Sequence, residues 1–309
     1  MKVTYIKDVF LPDNSLEWMQ NYAQIPYGLV CGDLLHVYFS SREIRDSVGN
    51  FRSYTGLVRL ELENDFRVYD VSPEPLLRLG SSGSFDEYGV MPGSVVKRSD
   101  SEFLMFYCGW SRPLNFPYKW SIGIAESHNG LSFKRKSEIP LDLDSGRDLF
   151  ACPMVYGESA TEMFYLSSEG WVSENGRVES VYLIRKATSV DGLNWKTTSH
   201  SVVEKTYDLE CQTSPSVFLI NDCRFMFYSY RHATEFRDNP GKNYQTALAS
   251  ENLDGVWEKL GPVEFFHKGE IRFDIAYANV FQYNGSSYVL YNLSEGFGTS
   301  GIFLGKIEI

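Results

Sequence analysis

Short apolar segments of strand length recur along the chain in a fixed order. Five times, a segment that opens on proline or alanine is followed within a few residues by a second segment rich in aromatic residues. The openings are 61 to 66 residues apart and lie at Pro26, Pro92, Pro153, Pro215 and Ala278. The second segments read LLHVYFSSR from Leu34, FLMFYCGW from Phe103, EMFYLSS from Glu162, RFMFYSYR from Arg224 and SYVLYNLSE from Ser287. A near-constant period filled with strands is typical of folds built by radial or stacked repetition.

Each period contains a third predicted strand, and the first four periods contain a fourth. Third strands begin near Thr55, Ser121, Val181, Thr246 and Gly301, and fourth strands begin near Phe66, Phe133, Trp195 and Val256. Asn-Gly or Asp-Gly at positions 129–130, 191–192 and 254–255 marks tight turns, because these residues accept positive φ. Four antiparallel strands repeated radially form propeller blades. The sequence therefore predicts an all-β fold, a five-bladed β-propeller with four-stranded antiparallel blades, in a single domain over residues 1–309.

The last period lacks a fourth strand. After Ala278 only three strands remain, and the last of them is GIFLGKIEI at the C-terminus. The N-terminal segment MKVTYIKDVF would supply the missing strand, so that pairing of the N- and C-terminal strands closes the ring and leaves no open edge. The alternative is an N-terminal strand that docks elsewhere. The repeat count favours closure.

Composition limits the possible partners and the compartment. The net charge of −11 disfavours a nucleic-acid backbone or an anionic membrane as partner. The chain has no run of about eighteen apolar residues for a membrane span and no signal-peptide pattern at its start. The five cysteines are Cys31, Cys108, Cys152, Cys211 and Cys223. Their odd number and irregular spacing indicate reduced thiols in a cytoplasmic protein without a metal site or cofactor, and a cysteine ligand to a metal is the open alternative.

Strand direction predicts which residues meet. If each first strand runs down the axis and the second returns, residues just before the first strand and just after the second lie on one face. The acids that precede first strands by four to six residues are Asp86, Asp148, Glu210 and Asp274, with Arg147 beside Asp148. The residues that follow second strands are Arg42, Trp110, Arg231, His232 and Glu295. These carboxylates, cations and an indole are expected to line one pocket.

Each of these residues also has a structural interpretation. Acids in loops before strands often cap turns, and neighbouring arginines often only neutralise them. Trp110 fits the core between blades equally well, although its place at a strand end beside Gly109 favours a stacking platform for a sugar ring. Four acids in register favour a functional pocket, because crowded carboxylates repel each other and shift their pKa values, as in catalytic pairs.

On these elements the whole chain resembles the five-bladed propeller glycosidase superfamily, which includes glycoside hydrolase families 32, 43, 68 and 130. Arg147-Asp148 resembles the Arg-Asp element that stabilises the transition state in the invertase-like members. Glu210-Cys211 resembles their Glu-Cys element, whose glutamate is the general acid. Such enzymes carry a further carboxylate on the first blade, whereas residues 20–25 of this chain read QNYAQI, without an acid.

The first function hypothesis is a carbohydrate-active enzyme that acts on a glycosidic bond. Glycoside cleavage needs one carboxylic acid to protonate the leaving oxygen and a second group as nucleophile or base. Glu210 is the expected proton donor, Asp148 is expected to position the sugar or tune the acid, and Asp86 or Asp274 is expected to act as base. The predicted partner is a small-molecule or oligosaccharide substrate, which Trp110 and Glu295 are expected to contact together with the cations.

A phosphate-dependent variant accommodates the missing first-blade acid. The resemblance to family 130 implies an inverting phosphorylase in which cations bind the phosphate and no protein base is required. Arg42, Arg231 and His232 are the candidates for this role. The second hypothesis is a glycan-binding or transferase-type propeller that acts on sugar nucleotides or polysaccharides, since fold alone does not fix function. The clustered carboxylates favour the enzyme.

Overall fold

Strands make up nearly all regular structure in the computed structural model, which describes residues 1–47, 49–143, 146–157, 161–294 and 301–308. No α-helix occurs in these ranges, and a short 3-10 turn lies at Pro240–Lys242. The all-β prediction is confirmed. The strands of the described ranges are β1 (Lys2–Phe10), β2 (Asn21–Cys31), β3 (Leu34–Arg42), β4 (Ser53–Glu61), β5 (Arg67–Val71), β6 (Gly89–Ser99), β7 (Glu102–Ser111), β8 (Lys119–Ser127), β9 (Lys134–Arg135), β10 (Phe150–Tyr156), β11 (Glu162–Glu174), β12 (Arg177–Thr188), β13 (Lys196–Thr197), β14 (Glu210–Ile220), β15 (Cys223–His232), β16 (Gln245–Glu251), β17 (Trp257–Pro262), β18 (Glu264–His267), β19 (Glu270–Arg272), β20 (Ile275–Tyr283), β21 (Ser286–Leu293) and β22 (Ile302–Glu308).

The strands fall into sets that follow the repeat. The third set, β10–β13, and the fourth set, β14–β17, are separate four-stranded antiparallel sheets. The first set, β2–β5, and the second set, β6–β9, belong to one larger sheet, because Ser53 and Gly89 form a parallel pair between β4 and β6. The fifth set, β20–β22, belongs to a six-stranded sheet that also contains β1, β18 and β19.

The N-terminal strand pairs with the C-terminal strand. β1 runs antiparallel to β22, from Lys2 opposite Glu308 to Phe10 opposite Ile302. On its other edge β1 runs parallel to β18. Val3 is fully buried, and it packs in the apolar cluster between the fourth and fifth sets. The first residues of the chain therefore join the sheet formed by the last ones.

The five repeat openings coincide with bulges in the innermost strands. In β2, β6, β10, β14 and β20 the pairing with the next strand shifts register at the marker proline or alanine. Proline cannot donate a ladder hydrogen bond, so a bulge is where a strand tolerates it. In four sets the preceding residue takes positive φ, between 49° and 57°, at Ile25, Cys152, Ser214 and Tyr277. Positive φ is uncommon for residues other than glycine, so the same unusual backbone geometry recurs in four of the five sets.

An adjacent pair of large residues in each second strand joins the sets. The pairs are Tyr38-Phe39, Phe106-Tyr107, Phe164-Tyr165, Phe227-Tyr228 and Leu290-Tyr291, and all ten side chains are fully buried. Neighbouring strand residues point to opposite faces. Accordingly Phe39 packs against the fifth set and Tyr38 against the second. The same alternation generates the clusters between the second and third, third and fourth, and fourth and fifth sets.

Candidate functional site

A cavity of about 400 Å³ opens where second strands finish and third strands begin. All five strand sets contribute to its wall. Its described lining residues are Tyr22, Gln24, Arg42, Arg45, Phe51, Ser53, Met91, Trp110, Arg112, Pro117, Tyr118, Trp120, Glu179, Tyr182, Arg231, Phe236, Arg237, Asn243, Tyr244, Ala276, Tyr277, Leu293 and Ser294. Its size falls in the range of roughly 300 to 1,000 Å³ that is usual for small-molecule sites.

The wall of the cavity is strongly cationic. Its arginines are Arg42, Arg45, Arg112, Arg231 and Arg237. Among the described lining residues Glu179 is the single carboxylate, and Arg237 binds it through hydrogen bonds of 2.6 and 3.0 Å. Within the described ranges no carboxylate forms an ion pair with the other four guanidinium groups. In a chain of net charge −11, this cavity concentrates positive charge and favours an anionic ligand.

Arg231 is the most enclosed of these cations that lack a carboxylate. Its side chain is 4% exposed. Its Nε donates a hydrogen bond of 3.0 Å to Tyr182 Oη, and its Nη1 donates one of 2.6 Å to the carbonyl oxygen of His232. Burial raises the pKa of Tyr182 well above its usual value, so this phenol stays neutral and leaves the arginine's charge uncompensated. A buried, unpaired charge is costly, and a bound anion would remove that cost.

Aromatic faces hold the other guanidinium groups in place. Arg42 lies between the rings of Tyr22 and Phe51, with its Cζ 4.7 and 4.5 Å from their centroids. Burial lowers the pKa of Arg42 because it removes water from the charged group. The guanidinium nevertheless stays charged, and a bound anion would offset its lost hydration. Arg112 donates to Asn50 Oδ1 and lies 5.3 Å from the Trp110 ring. Ring contacts fix these cations without neutralising them.

Trp110 belongs both to the cavity wall and to the packed interior. It is 6% exposed, and its ring centroid lies 5.5 Å from that of Phe51 and 5.7 Å from that of Tyr88. Gly89 makes room for it, since a Cβ atom there would lie 1.7 Å from Trp110 Nε1. The two interpretations of this residue from sequence, core and ligand platform, are compatible with the same position.

Two of the predicted carboxylates are buried outside this cavity. Asp86 is fully buried and accepts hydrogen bonds from Arg135 Nε at 2.7 Å and from Tyr107 Oη at 2.9 Å. Glu210 is also fully buried; its Oε2 accepts a hydrogen bond of 2.7 Å from the backbone N–H of Thr206, and its Oε1 lies 3.3 Å from Lys259 Nζ. Both carboxylates are thus neutralised by a base on the outermost strand of their own set, β9 or β17.

The remaining predicted site residues on strand approaches also lie away from the cavity lining. Asp148 is exposed, and its neighbour Arg147 donates a hydrogen bond of 2.7 Å to Glu169 Oε1. Asp274 accepts two hydrogen bonds, of 2.7 and 2.5 Å, from Arg272. The expected convergence of the four acids on this cavity is not observed. Three of them are held by cations from their own surroundings, and the exposed Asp148 is not among the lining residues.

Most residues predicted from the ends of second strands lie in the cavity wall or beside it. Arg42, Trp110 and Arg231 line the cavity together. His232 lies beside it, stacked on Tyr207 with ring centroids 4.2 Å apart. Glu295 lies outside the described residues. The structure leaves the catalytic and binding roles assigned to all ten residues as predictions.

Half of the described lining residues that were not predicted come from the connections between second and third strands. Arg45 and Phe51 lie between β3 and β4, Arg112 and Tyr118 between β7 and β8, and Arg237 between β15 and β16. A hairpin connection leaves the same face on which the second strand ends. The long second-to-third connections, rich in arginine and aromatic residues, were the sequence signal for this wall.

Neither a metal cluster nor a membrane-spanning helix is found in the part of the chain that the structure describes. There, no three His, Cys, Asp or Glu side chains are grouped so that they could hold a metal ion. None of the described residues forms a helix with the length and apolar character that crossing a bilayer requires.

Two mycobacterial proteins are related to this chain over almost their whole length, whereas no family model matches it. The uncharacterised protein Rv1502 of Mycobacterium tuberculosis H37Rv is 32% identical over 310 residues, with 97% of each protein covered. The uncharacterised protein MT1551 of Mycobacterium tuberculosis CDC 1551 is 30% identical over 308 residues, again with 97% of each covered. The chain belongs to this family. The names of its two mycobacterial members state no activity.

Solved structures relate the family to glycosidases at the level of the fold. A glycoside hydrolase superposes with a TM-score of 0.68 and 14% identity over 99% of this chain and 93% of its own. A thermostable family-43 glycoside hydrolase superposes with a TM-score of 0.67 and 15% identity, over 97% of this chain and 93% of its own. A structure from the family-130 mannoside phosphorylases and glycoside hydrolases superposes with a TM-score of 0.65 and 12% identity, over 97% of this chain and 91% of its own. The resemblance to the propeller glycosidase superfamily is therefore confirmed as one of fold.

Proposed function

We propose that this protein is a carbohydrate-active enzyme that acts on a glycosidic bond in the 400 Å³ cavity, and that a phosphate group takes part in its reaction. The observation that carries the proposal is Arg231, a 4% exposed cation without a carboxylate partner among the described residues, in a cavity that it shares with Arg42. Guanidinium groups match phosphate oxygens with paired hydrogen bonds. Aromatic rings in the same wall suit the faces of sugars.

The proposed chemistry needs no protein base. Hydrogen phosphate held by the arginines attacks the anomeric carbon, and the bond from that carbon to the glycosidic oxygen breaks. The leaving oxygen takes up a proton from the predicted donor, and the proton of the hydrogen phosphate replaces it there. The products are a sugar 1-phosphate and the shortened saccharide. Positioning of phosphate and sugar in one cavity supplies much of the rate gain in such a reaction. Glu210 stays the predicted proton donor, although a donor must reach the leaving oxygen to within about 3 Å.

A second candidate is transfer from, or binding of, a phosphorylated sugar donor. It is favoured by the position of Glu210 and Asp148 outside the cavity, since the described lining then holds a single carboxylate, Glu179, already bound to Arg237. A sugar nucleotide would place its diphosphate at the same arginines. Both candidates share the anion site and differ in the bond that changes.

The proposed architecture is a closed five-bladed propeller in a single domain over residues 1–309. Five apolar clusters support it. Four of them lie between successive strand sets, and the remaining one lies between the fifth set and the first. The first and fifth sets also share a buried hydrogen bond of 2.9 Å from Gly28 N to Asn279 Oδ1. A narrow space of about 30 Å³ is lined by the residues that open the five repeats or by their neighbours in sequence. The cytoplasmic location stays a prediction from the odd number of cysteines.

The test is an assay for sugar 1-phosphate release from oligosaccharides, with and without phosphate, together with an assay for transfer from sugar nucleotides. We expect turnover to require phosphate or a phosphorylated donor. Arg42→Met should lower it strongly, whereas Arg67→Met, which removes an exposed arginine on β5, serves as the charge-matched control. Brisk hydrolysis in water without phosphate, unchanged by Arg42→Met, would contradict the proposal.

A further inference from the structure

A continuous series of aromatic rings leads from solvent to the floor of the cavity. Phe116 is 42% exposed and stacks on Trp171, with ring centroids 6.0 Å apart. Trp171 contacts Tyr118 at 5.2 Å, and Tyr118 stacks on Trp120 at 4.8 Å. Trp120 in turn lies 6.3 Å from Tyr182, which is 1% exposed. Exposure falls along the series from the rim inward.

The inner end of this series is the anion site. Tyr118, Trp120 and Tyr182 line the cavity, and Tyr182 accepts the hydrogen bond from Arg231. The outer end, Phe116 and Trp171, lies beyond the cavity lining. A ligand anchored at Arg231 and longer than the cavity would therefore pass over these outer rings.

Polar groups accompany the rings along this wall. Tyr118 Oη lies 2.8 Å from Ser180 Oγ, and the Glu179–Arg237 pair lies in the same wall of the cavity. Alternating ring faces and hydrogen-bonding groups suit a sugar, whose faces are apolar and whose rim carries hydroxyl groups.

We propose that Phe116, Trp171 and Tyr118 form an outer subsite for the further sugar units of an oligosaccharide whose reacting unit lies at Arg231. This subsite rests on the proposed function, because it takes the reacting sugar to be in the cavity. It makes the substrate class a chain of at least two or three sugars, so that monosaccharide derivatives are incomplete ligands. The aromatic rings from β11 and from the β7–β8 connection thus recognise the length of the oligosaccharide.

The experiment is calorimetric titration, in the presence of inorganic phosphate, of mannose, mannobiose and mannotriose with β-1,2 linkages and of the matching β-linked glucose series. We expect affinity to rise with length in at least one series. Phe116→Ala and Trp171→Ala should each weaken trisaccharide binding by roughly two- to tenfold and leave the monosaccharide unchanged. Tyr69→Ala is the control, since Tyr69 is 56% exposed on the outer strand β5.

Each other outcome has a definite meaning. If Trp171→Ala loses its folded structure, the exposed Phe116 gives the same test. Affinity that does not grow with length, while monosaccharide and phosphate still bind, contradicts the outer subsite alone. If Phe116→Ala weakens the binding of octyl β-glucoside more than the binding of the trisaccharide, the rings contact an apolar chain instead of a sugar. Absence of sugar binding in both series, with and without phosphate, contradicts the proposed function itself.

Discussion

Arg231 and Glu210 show how far single residues can be interpreted from this sequence. Both stand at strand ends predicted to face a common pocket, yet only Arg231 lines it. The difference lies in partners that are distant in sequence. Asp86 and Glu210 each bind a base 49 residues further along the chain, Arg135 and Lys259 respectively. Such repeated ion pairs explain acids at equivalent positions of the repeats by packing alone. The local sequence does not reveal these partners.

The first prediction concerns Glu210→Gln. Removing one charge of a buried pair leaves Lys259 uncompensated, and we expect a loss of about 3 kcal/mol in the free energy of unfolding, measured by denaturant titration. Lys259→Met should cost a similar amount by breaking the same pair. The proton-donor role for Glu210 is tested with the same proteins. It holds if Glu210→Gln abolishes turnover under conditions where both variants are folded and Lys259→Met retains it.

The second prediction is a pH dependence of stability that arises from His36. This residue is 5% exposed, and burial, aided by Arg59, lowers its pKa to about 4. The unfolded chain, with a histidine pKa near 6.5, binds the proton more readily, so stability falls as pH drops below about 6.5. Between pH 7 and pH 5 the loss from this group is about 2 kcal/mol. A His36→Gln variant should lack this part of the pH dependence in denaturant titrations; an unchanged profile would contradict the account.

Whole strands were more predictable than side-chain partners. The repeat openings marked the innermost strands correctly because proline must sit where the ladder is interrupted, and each opening lies at a bulge. The aromatic second strands were predictable because each contains two adjacent large residues, which pack into the apolar clusters on the two faces of the set. The fourth strands predicted near Phe133 and Trp195 are present but only two residues long, at β9 and β13, and the extra pair β18–β19 was not predicted.

The third prediction tests the pairing of β1 with β22. Val3 is fully buried in the cluster between the fourth and fifth sets and pairs with Ile307 on β22. It also packs tightly against Gly305, since a Cβ atom there would lie 2.6 Å from Val3 Cγ1. Val3→Ala should lower the free energy of unfolding by about 2 kcal/mol. Val190→Ala, at a position 98% exposed, is the matched control and should change it little. Equal stabilities for the two variants would contradict a stabilising contact between Val3 on β1 and this cluster.

At the scale of the molecule, the repeat places a cationic, aromatic cavity at one end of five strand sets that together carry a net charge of −11. The period and the fold class followed from sequence because repetition makes the same signal appear five times. The cavity followed only in part. Its arginines lie on connections of unequal length, whose positions depend on how the sets pack.

The most direct test of the central claim, an anion site in a sugar-binding cavity, is the affinity difference between a sugar 1-phosphate and the same sugar without phosphate. Mannose 1-phosphate and mannose, and the corresponding glucose pair, are titrated into the wild type, Arg42→Met and Arg67→Met. The account predicts that the wild type and Arg67→Met bind at least one phosphate roughly tenfold or more tightly than its neutral sugar, a difference of about 1.4 kcal/mol, and that Arg42→Met removes most of this difference. Equal affinity for both members of each pair in the wild type, or a difference that survives Arg42→Met in full, would contradict it.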